Sequence, residues 1–292
     1  MSWVVYTLFA ALMQSVRTAA QKRLSGSMSA MGVTYARYLF GLPIAGLYLY
    51  FLQVDFGIAA AAPRHLWFII LFGGISQIIA TWALVSVFKW RNFAVGTTFA
   101  KTEALQTAAL GALIAIPLSL GGWLSVLVGM AGIVALSLPE EFKRVRAWLT
   151  PATGLGLLSG FCFALTALSI HYSSRQLSLP PVHAAGVVLV SMMIMQLVLM
   201  TVWLAWREPG LFRQIPQHLG WAAFIGLTSA LGSIGWYTAM SLQNPALVKT
   251  LGQVEFFFTL LITWRLFKEP IRGKEWVGMG LILASVILLL RV

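Results

Sequence analysis

The sequence predicts an all-α integral membrane protein of ten transmembrane helices, arranged as two inverted five-helix repeats. Three observations predict it: a composition too apolar for water, ten apolar runs separated by short polar breaks, and one charged segment that recurs in both halves. Of the 292 residues, 59% are hydrophobic and only 10% are charged, and the mean hydropathy is +0.85. A soluble domain carries roughly 25% charged residues, so this chain could not cover a water-facing surface. A membrane span needs about 20 mostly apolar residues, because a helix satisfies its own backbone hydrogen bonds in lipid. Ten such spans leave no room for a soluble catalytic domain.

The apolar runs fall near residues 3–20, 31–52, 66–88, 93–114, 120–138, 152–170, 182–204, 219–241, 246–264 and 275–290. Between them stand breaks such as Lys22-Arg23-Leu24-Ser25-Gly26, Lys89-Trp90-Arg91-Asn92, Asn244-Pro245 and Lys268-Glu269-Pro270. The segment Met1 to Ala20 is apolar with no basic leader before it, which reads as a retained first span. The longest polar stretch, Pro139 to Thr150, separates five spans from five. It divides the chain into a first repeat, residues 1–142, and a second, residues 143–292.

The recurrence appears on shifting the chain by 152 residues, which lays Asn92 on Asn244 and Glu103 on Glu255. Each asparagine is suited to cap a helix, and each glutamate follows eleven residues later, at mid-membrane depth. Every loop after an odd-numbered span carries at least two Lys or Arg, from Lys22 and Arg23 to Arg265 and Lys274. The opposite side holds only Arg64, Arg175 and Arg291. The positive-inside rule then puts the odd-numbered loops in the cytoplasm and both termini outside. With five spans per half, equivalent loops fall on opposite faces, so the repeats are expected to be inverted, as in many secondary transporters.

The net charge of +12 does not point to nucleic acid, because the basic residues sit in short clusters between apolar runs. Such clusters bind anionic headgroups and set orientation. The one cysteine, Cys162, excludes an intrachain disulfide. Four scattered histidines, His65, His171, His183 and His218, lack metal-ligand spacing. No nucleophile triad, phosphate loop or ATPase motif stands in the sequence, so no cofactor and no enzymatic activity are expected. The small-residue pairs Ser125/Gly129, Gly226/Ala230 and Gly280/Ala284 allow close helix approach, within the chain or in a homodimer.

Ionisable groups in hydrocarbon are expensive, so each needs a partner or a task. Six fall inside the expected spans: Arg17, Arg37, Lys101, Glu103, Lys249 and Glu255. Arg17 and Arg37 stand close enough to span ends to snorkel toward headgroups. Lys101, Glu103 and Glu255 are too deep for that, and Lys249 lies one turn into its span. On span four, Asn92, Gly96, Phe99, Glu103, Gln106 and Thr107 form one stripe; on span nine, Lys249, Gly252, Gln253 and Phe256 share a face with Glu255 at its edge. These faces are expected to look into the bundle. The four charges form two buried ion pairs that set helix register, or they line a pathway. They sum to zero, which suits a zwitterion such as an amino acid; a buried glutamate could instead carry a coupling proton. Trp82, Trp236 and Tyr237 lie deep in spans three and eight, where they pack the core or line the same cavity. Trp3, Trp67, Trp90, Trp203, Trp206, Trp264 and Trp276 lie near span ends and read as interfacial anchors.

This layout, with a glutamate midway along spans four and nine, resembles the drug/metabolite transporter superfamily, in particular its EamA branch of bacterial exporters. The resemblance is densest in Asn244-Pro245-Ala246, in Glu255 with Glu269 fourteen residues on, and in Trp276 with Gly278 and Gly280 leading into the last helix. Arg37 with Tyr38 is similar to the branch's arginine-aromatic pair. The sequence departs from the branch at Pro117, which replaces a second glutamate in the first half, and in lacking proline after Glu103 and Glu255. The resemblance implies secondary export of small amino-acid-like or drug-like solutes across a cell (inner) membrane, proton- or gradient-coupled, by alternating access. Lipid flipping, or service as an accessory membrane subunit, is the alternative; an intramembrane enzyme would need an acid/base cluster that the sequence lacks.

Overall fold

A computed structural model describes residues 2–54, 62–89, 93–137, 150–267 and 273–291. Among them all regular structure is helical. The helices are α1 (Ser2–Leu24), α2 (Ala30–Phe51), α3 (Arg64–Val87), α4a (Phe93–Ala100), α4b (Glu103–Leu113), α5 (Leu120–Ser137), α6 (Pro151–Gln176), α7 (Pro181–Arg207), α8 (Leu219–Leu242), α9a (Pro245–Leu251), α9b (Glu255–Phe267) and α10 (Gly273–Leu289). A short surface helix, Leu211–Gln214, runs into a 3₁₀ turn ahead of α8. Each of the ten expected apolar runs is therefore helical, and two are split. The Pro139–Thr150 linker, apart from Thr150 itself, the Lys268-Glu269-Pro270 break, Trp90, Arg91 and Asn92 lie outside the described residues, as does the side chain of Trp264.

Local chemistry explains several ends. Ser29 accepts a hydrogen bond from the Gly32 N–H to start α2, and donates its own hydroxyl to Glu208 at 2.7 Å, clipping α2 to the end of α7. Thr150 and Pro151 open α6, and Asn244 with Pro245 open α9a, the asparagine accepting from Ala246 at 2.9 Å. The expected cap at Asn244 is thus present.

Four helices, Arg64–Val87, Pro151–Gln176, Pro181–Arg207 and the segment Leu211–Leu242, are long and apolar enough to cross a membrane on length and composition alone. The outer surface is apolar in a way water would not tolerate: Phe68, Val202, Trp206, Leu113 and Leu120 are all largely exposed. Patches of that extent on a stable chain mark a lipid-facing surface. The exposed Trp203, Trp206 and Trp276 stand near helix ends, where interfacial tryptophans belong.

The largest apolar core is shared by α1, α2, α3, α6, α7 and α8. A second, small core joins α5 to α10 through Ile133, Leu136, Met279 and Ile282. The α5–α10 pair meets the six-helix body mainly through α4 and α9, which lie between. The pairing pattern is symmetric: exchanging helices one to five for six to ten turns the α3–α6 contact into α8–α1, α4–α6 into α9–α1, and α2–α8 into α7–α3. The pairs α2–α7, α4–α9 and α5–α10 map onto themselves.

Small residues set the closest approaches. Ser285 donates to the Ser125 carbonyl at 2.6 Å, and Gly226 is packed against Phe40 and Gly41. Gly280, also expected at a helix contact, faces open space. The tight α5–α10 contact is instead Gly132 with Gly278, a backbone-to-backbone approach that small residues permit. A β-carbon on Gly132 would lie 2.9 Å from the Gly278 carbonyl oxygen and 3.0 Å from the Ile282 nitrogen, and neither can swing aside. Gly132→Leu should therefore lower stability by about 1–3 kcal/mol, the usual cost of overpacking. Gly280→Leu should leave it unchanged. Thermal melts of the two purified variants in detergent check the contrast; equal melting points would contradict the packing described.

Candidate functional site

The chemistry gathers where α4 and α9 are interrupted. Lys101 and Thr102 form a turn between α4a and α4b, and Gly252–Val254 form a 3₁₀ turn between α9a and α9b. With the 152-residue offset, Lys101-Thr102 lies on Gln253-Val254, and each second segment begins at its glutamate. The backbone groups freed by the first break are met locally. The Lys101 N–H bonds to the Thr97 and Thr98 carbonyls, and the Thr102 N–H and hydroxyl both donate to the Phe99 carbonyl. Each glutamate stands at the N-terminus of its own segment, where exposed N–H groups favour a negative charge.

Across the gap the charges pair crosswise. Lys101 Nζ lies 2.5 Å from Glu255 Oε2, and Lys249 Nζ lies 3.2 Å from Glu103 Oε2. Glu103, Lys249 and Glu255 are buried and Lys101 is partly so. In an unbroken helix, Lys101 and Glu103 would point about 200° apart. The turn lets both reach α9, so Lys101, which lies off the Glu103 stripe by helical periodicity, still joins the other three charges. The expectation that Asn92 begins this stripe lies outside the described residues.

Neutral side chains complete the cluster. Gln14 Nε2 donates to Glu255 Oε2 at 2.8 Å, while its Oε1 accepts from the Trp236 indole at 2.9 Å. Ser15 donates to the Glu255 carbonyl at 3.1 Å. The Lys249 ammonium lies 4.8 Å from the centre of the Trp236 ring and 5.5 Å from that of Phe163, close enough for cation–π attraction. The benzo ring of the same indole lies against Gly252 and leaves no space for a β-carbon there.

Beside this cluster lies a cavity lined by Gln14, Arg17, Arg37, Gln77, Phe163, Ser233, Trp236, Tyr237 and Lys249, among others. Its free volume of about 30 Å³ holds one or two waters. Arg17 does not snorkel, contrary to the sequence reading, and Arg37, the candidate that the resemblance favours, does not either: they are 4% and 3% exposed and face this cavity. The reason for Arg17 is that α1 continues to Leu24, leaving it about two turns inside its helix. Arg37 donates to Thr81 at 2.8 Å and to Ser233 at 3.4 Å. The Tyr237 hydroxyl donates to Gln77 Oε1 at 3.2 Å.

Three expected site residues point elsewhere. Gln253 is turned toward Gly129 on α5, Gln106 donates to Thr102 on the α6 side, and Trp82 packs against the main core. Gln14, Gln77, Thr81 and Ser233 are not among the residues the sequence singles out, and Arg17 reads from sequence as interfacial. The available signal was spacing: Gln14, Arg17 and Gln21 recur on one face of α1, and Gln77 and Thr81 on one face of α3.

A wider vestibule of about 660 Å³ opens at one end of the bundle, lined by the α4b–α5 turn, the ends of α6 and α8 and the start of α9a. It is one residue layer from the inner cavity: His171 lines the vestibule and Ile170 the cavity, Gln243 the vestibule and Met240 the cavity, Leu247 the vestibule and Lys249 the cavity.

A many-helix bundle with a lipid-compatible exterior and paired charges at two interrupted helices defines a multi-pass membrane protein built around a polar interior. Residues 150–291 match the EamA-like transporter family. One solved crystal structure aligns with 98% of this chain and 96% of its own length, at a TM-score of 0.75 and 15% identity. That likeness shows a common fold over the whole chain and nothing of substrate. Comparison with curated proteins finds no match.

The crossed pairs make a sharp stability prediction. Lys249→Met strands the Glu103 carboxylate in the core and should cost about 3–5 kcal/mol. The double variant with Glu103→Gln removes both charges and should recover most of that loss. Denaturant unfolding followed by tryptophan fluorescence measures the cycle; additive losses would show that the pair does not hold α4 to α9.

Proposed function

We propose that the protein is a secondary transporter that exports small metabolites by alternating access around the α4–α9 crossing. The observation that carries this reading is the pair of helix breaks at matching points of the two halves, each bringing a glutamate to the centre of the bundle. Unwound helices at mid-membrane are how secondary transporters build substrate and coupling sites, and 3₁₀ segments inside a helix serve as hinges. On this reading residues 1–142 and 143–292 are inverted repeats. The antiparallel course of α3 against α6 and of α1 against α8, and the symmetric pairing of helices, support it. The repeats rock against each other, with Lys101–Glu255 and Lys249–Glu103 breaking and re-forming. Glu103 and Glu255 are the candidate carriers of a coupling proton, and Lys101, Lys249, Arg37, Trp236 and Tyr237 line the path.

Two experiments test this. Proteoliposomes loaded with a low-molecular-mass cell extract should lose a defined set of solutes, and Glu255→Gln or Glu103→Gln should slow that loss at least tenfold. Full activity in both variants would remove the glutamates from the mechanism. Cysteines placed singly in the Pro139–Thr150 linker should react with impermeant reagents only from the cytoplasmic side, the orientation that loop charge favours. Labelling from outside would reverse it.

A further inference from the structure

The inner cavity holds more positive charge than its carboxylates offset. Lys101 and Lys249 are neutralised by Glu255 and Glu103. Arg17 and Arg37 remain, both on the cavity wall and both more than nine-tenths buried. Among the described residues, no carboxylate lies within ion-pair distance of either. Arg37 gives two of its five N–H donors to hydroxyls and lies 5.3 Å from the centre of the Tyr38 ring. Arg17 Nε is buried with no hydrogen-bond partner at all.

The neighbouring amide is oriented to match. Gln77 Oε1 accepts from both Gln196 Nε2, at 2.8 Å, and the Tyr237 hydroxyl. Its acceptor is thereby occupied, and its Nε2 is left as an unused donor at the wall. Guanidinium groups and an amide N–H can only donate. A buried guanidinium without a counter-ion is retained against a heavy desolvation cost, which an anion lodged beside it would offset.

We propose that the transported solute is a small organic anion, whose carboxylate or phosphate group binds between Arg17 and Arg37 with Gln77 as a further donor. This rests on the transport reading and names its substrate class. A zwitterion fits less well, because its ammonium would need Glu103 or Glu255. Each of these is engaged by a lysine, and neither lines the cavity. At about 30 Å³ the cavity admits no more than the anionic group. The remainder of the solute would lie against Phe163 and Trp236 only once the proposed rocking of the repeats widens the cavity.

The test uses the full chain in proteoliposomes loaded with the same low-molecular-mass extract, with the solutes that leave identified by mass spectrometry. Those lost through the wild-type protein should carry net negative charge at neutral pH, and their identity separates carboxylates from phosphates. Arg17→Gln should slow the loss at least tenfold, whereas Arg17→Lys should keep most of it. Removal of an uncompensated buried charge should leave the melting point of Arg17→Gln equal or higher. A lower melting point would assign Arg17 a structural role and overturn the proposal. Selective loss of zwitterions, cations or neutral solutes would overturn the anion assignment while leaving transport intact. No loss of any solute would overturn transport and the assignment together.

Discussion

A helix can be interrupted inside a membrane only if protein supplies what the lipid cannot. Lipid offers no hydrogen bonds to freed backbone groups and little solvation to charge. In this chain the constraint is met at one place, where α4 and α9 cross. The first break is closed by carbonyls of its own preceding turn and by the Thr102 hydroxyl. The charges that the breaks expose are closed by one another, Lys101 on Glu255 and Lys249 on Glu103. Neither broken helix could stand alone in this form. Each carries the counter-charge of the other, so the two are fastened to one another at the point where each is weakest.

The rest of the architecture follows from that mutual dependence. Six helices share a continuous apolar core, while α5 and α10 form a separate pair held by a glycine-to-glycine contact. The broken helices lie between these bodies and touch both. A buried ion pair is a poor source of net stability but sets register strictly, because either charge alone is costly. Two crossed pairs therefore hold the six-helix body and the outlying pair in one relation, without the broad apolar interface that would lock them together.

Much of this was legible in the sequence, and what was not has a physical cause. The ten runs were readable because hydropathy and polar breaks report what lipid tolerates, and the helices begin and end within a few residues of them, except where α6 runs six residues further. Glu103, Glu255, Lys101 and Lys249 stood out because charge at that depth needs a partner. The interruptions were hidden, since a hydropathy window treats Thr97 to Gln106 as one apolar helix. Without the breaks, helical periodicity points Gln253 toward the site, whereas it packs on α5. Arg17 looks interfacial when the first span ends at residue 20, but the helix continues to Leu24. Gln14 and Gln77 gave little warning, for a neutral amide costs far less in a membrane than a charge does.

The two halves share a frame and differ in chemistry. With the 152-residue offset the glutamates coincide, but Lys101 falls on Gln253 and Lys249 on Thr97, so the ion pairs are alike in partners and unlike in position. The arginines have no counterpart at all: Arg17 falls on Ser169 and Arg37 on Leu189. Repetition accounts for the breaks and the paired carboxylates, features that a rocking motion between proposed inverted halves would need on both sides. The unmatched cations are concentrated on α1 and α2, in the first half alone. A mechanism common to both halves would thus act on a binding site whose unpaired cations belong to one of them, and its charge preference could change through α1 and α2 while the crossing that moves it stayed intact.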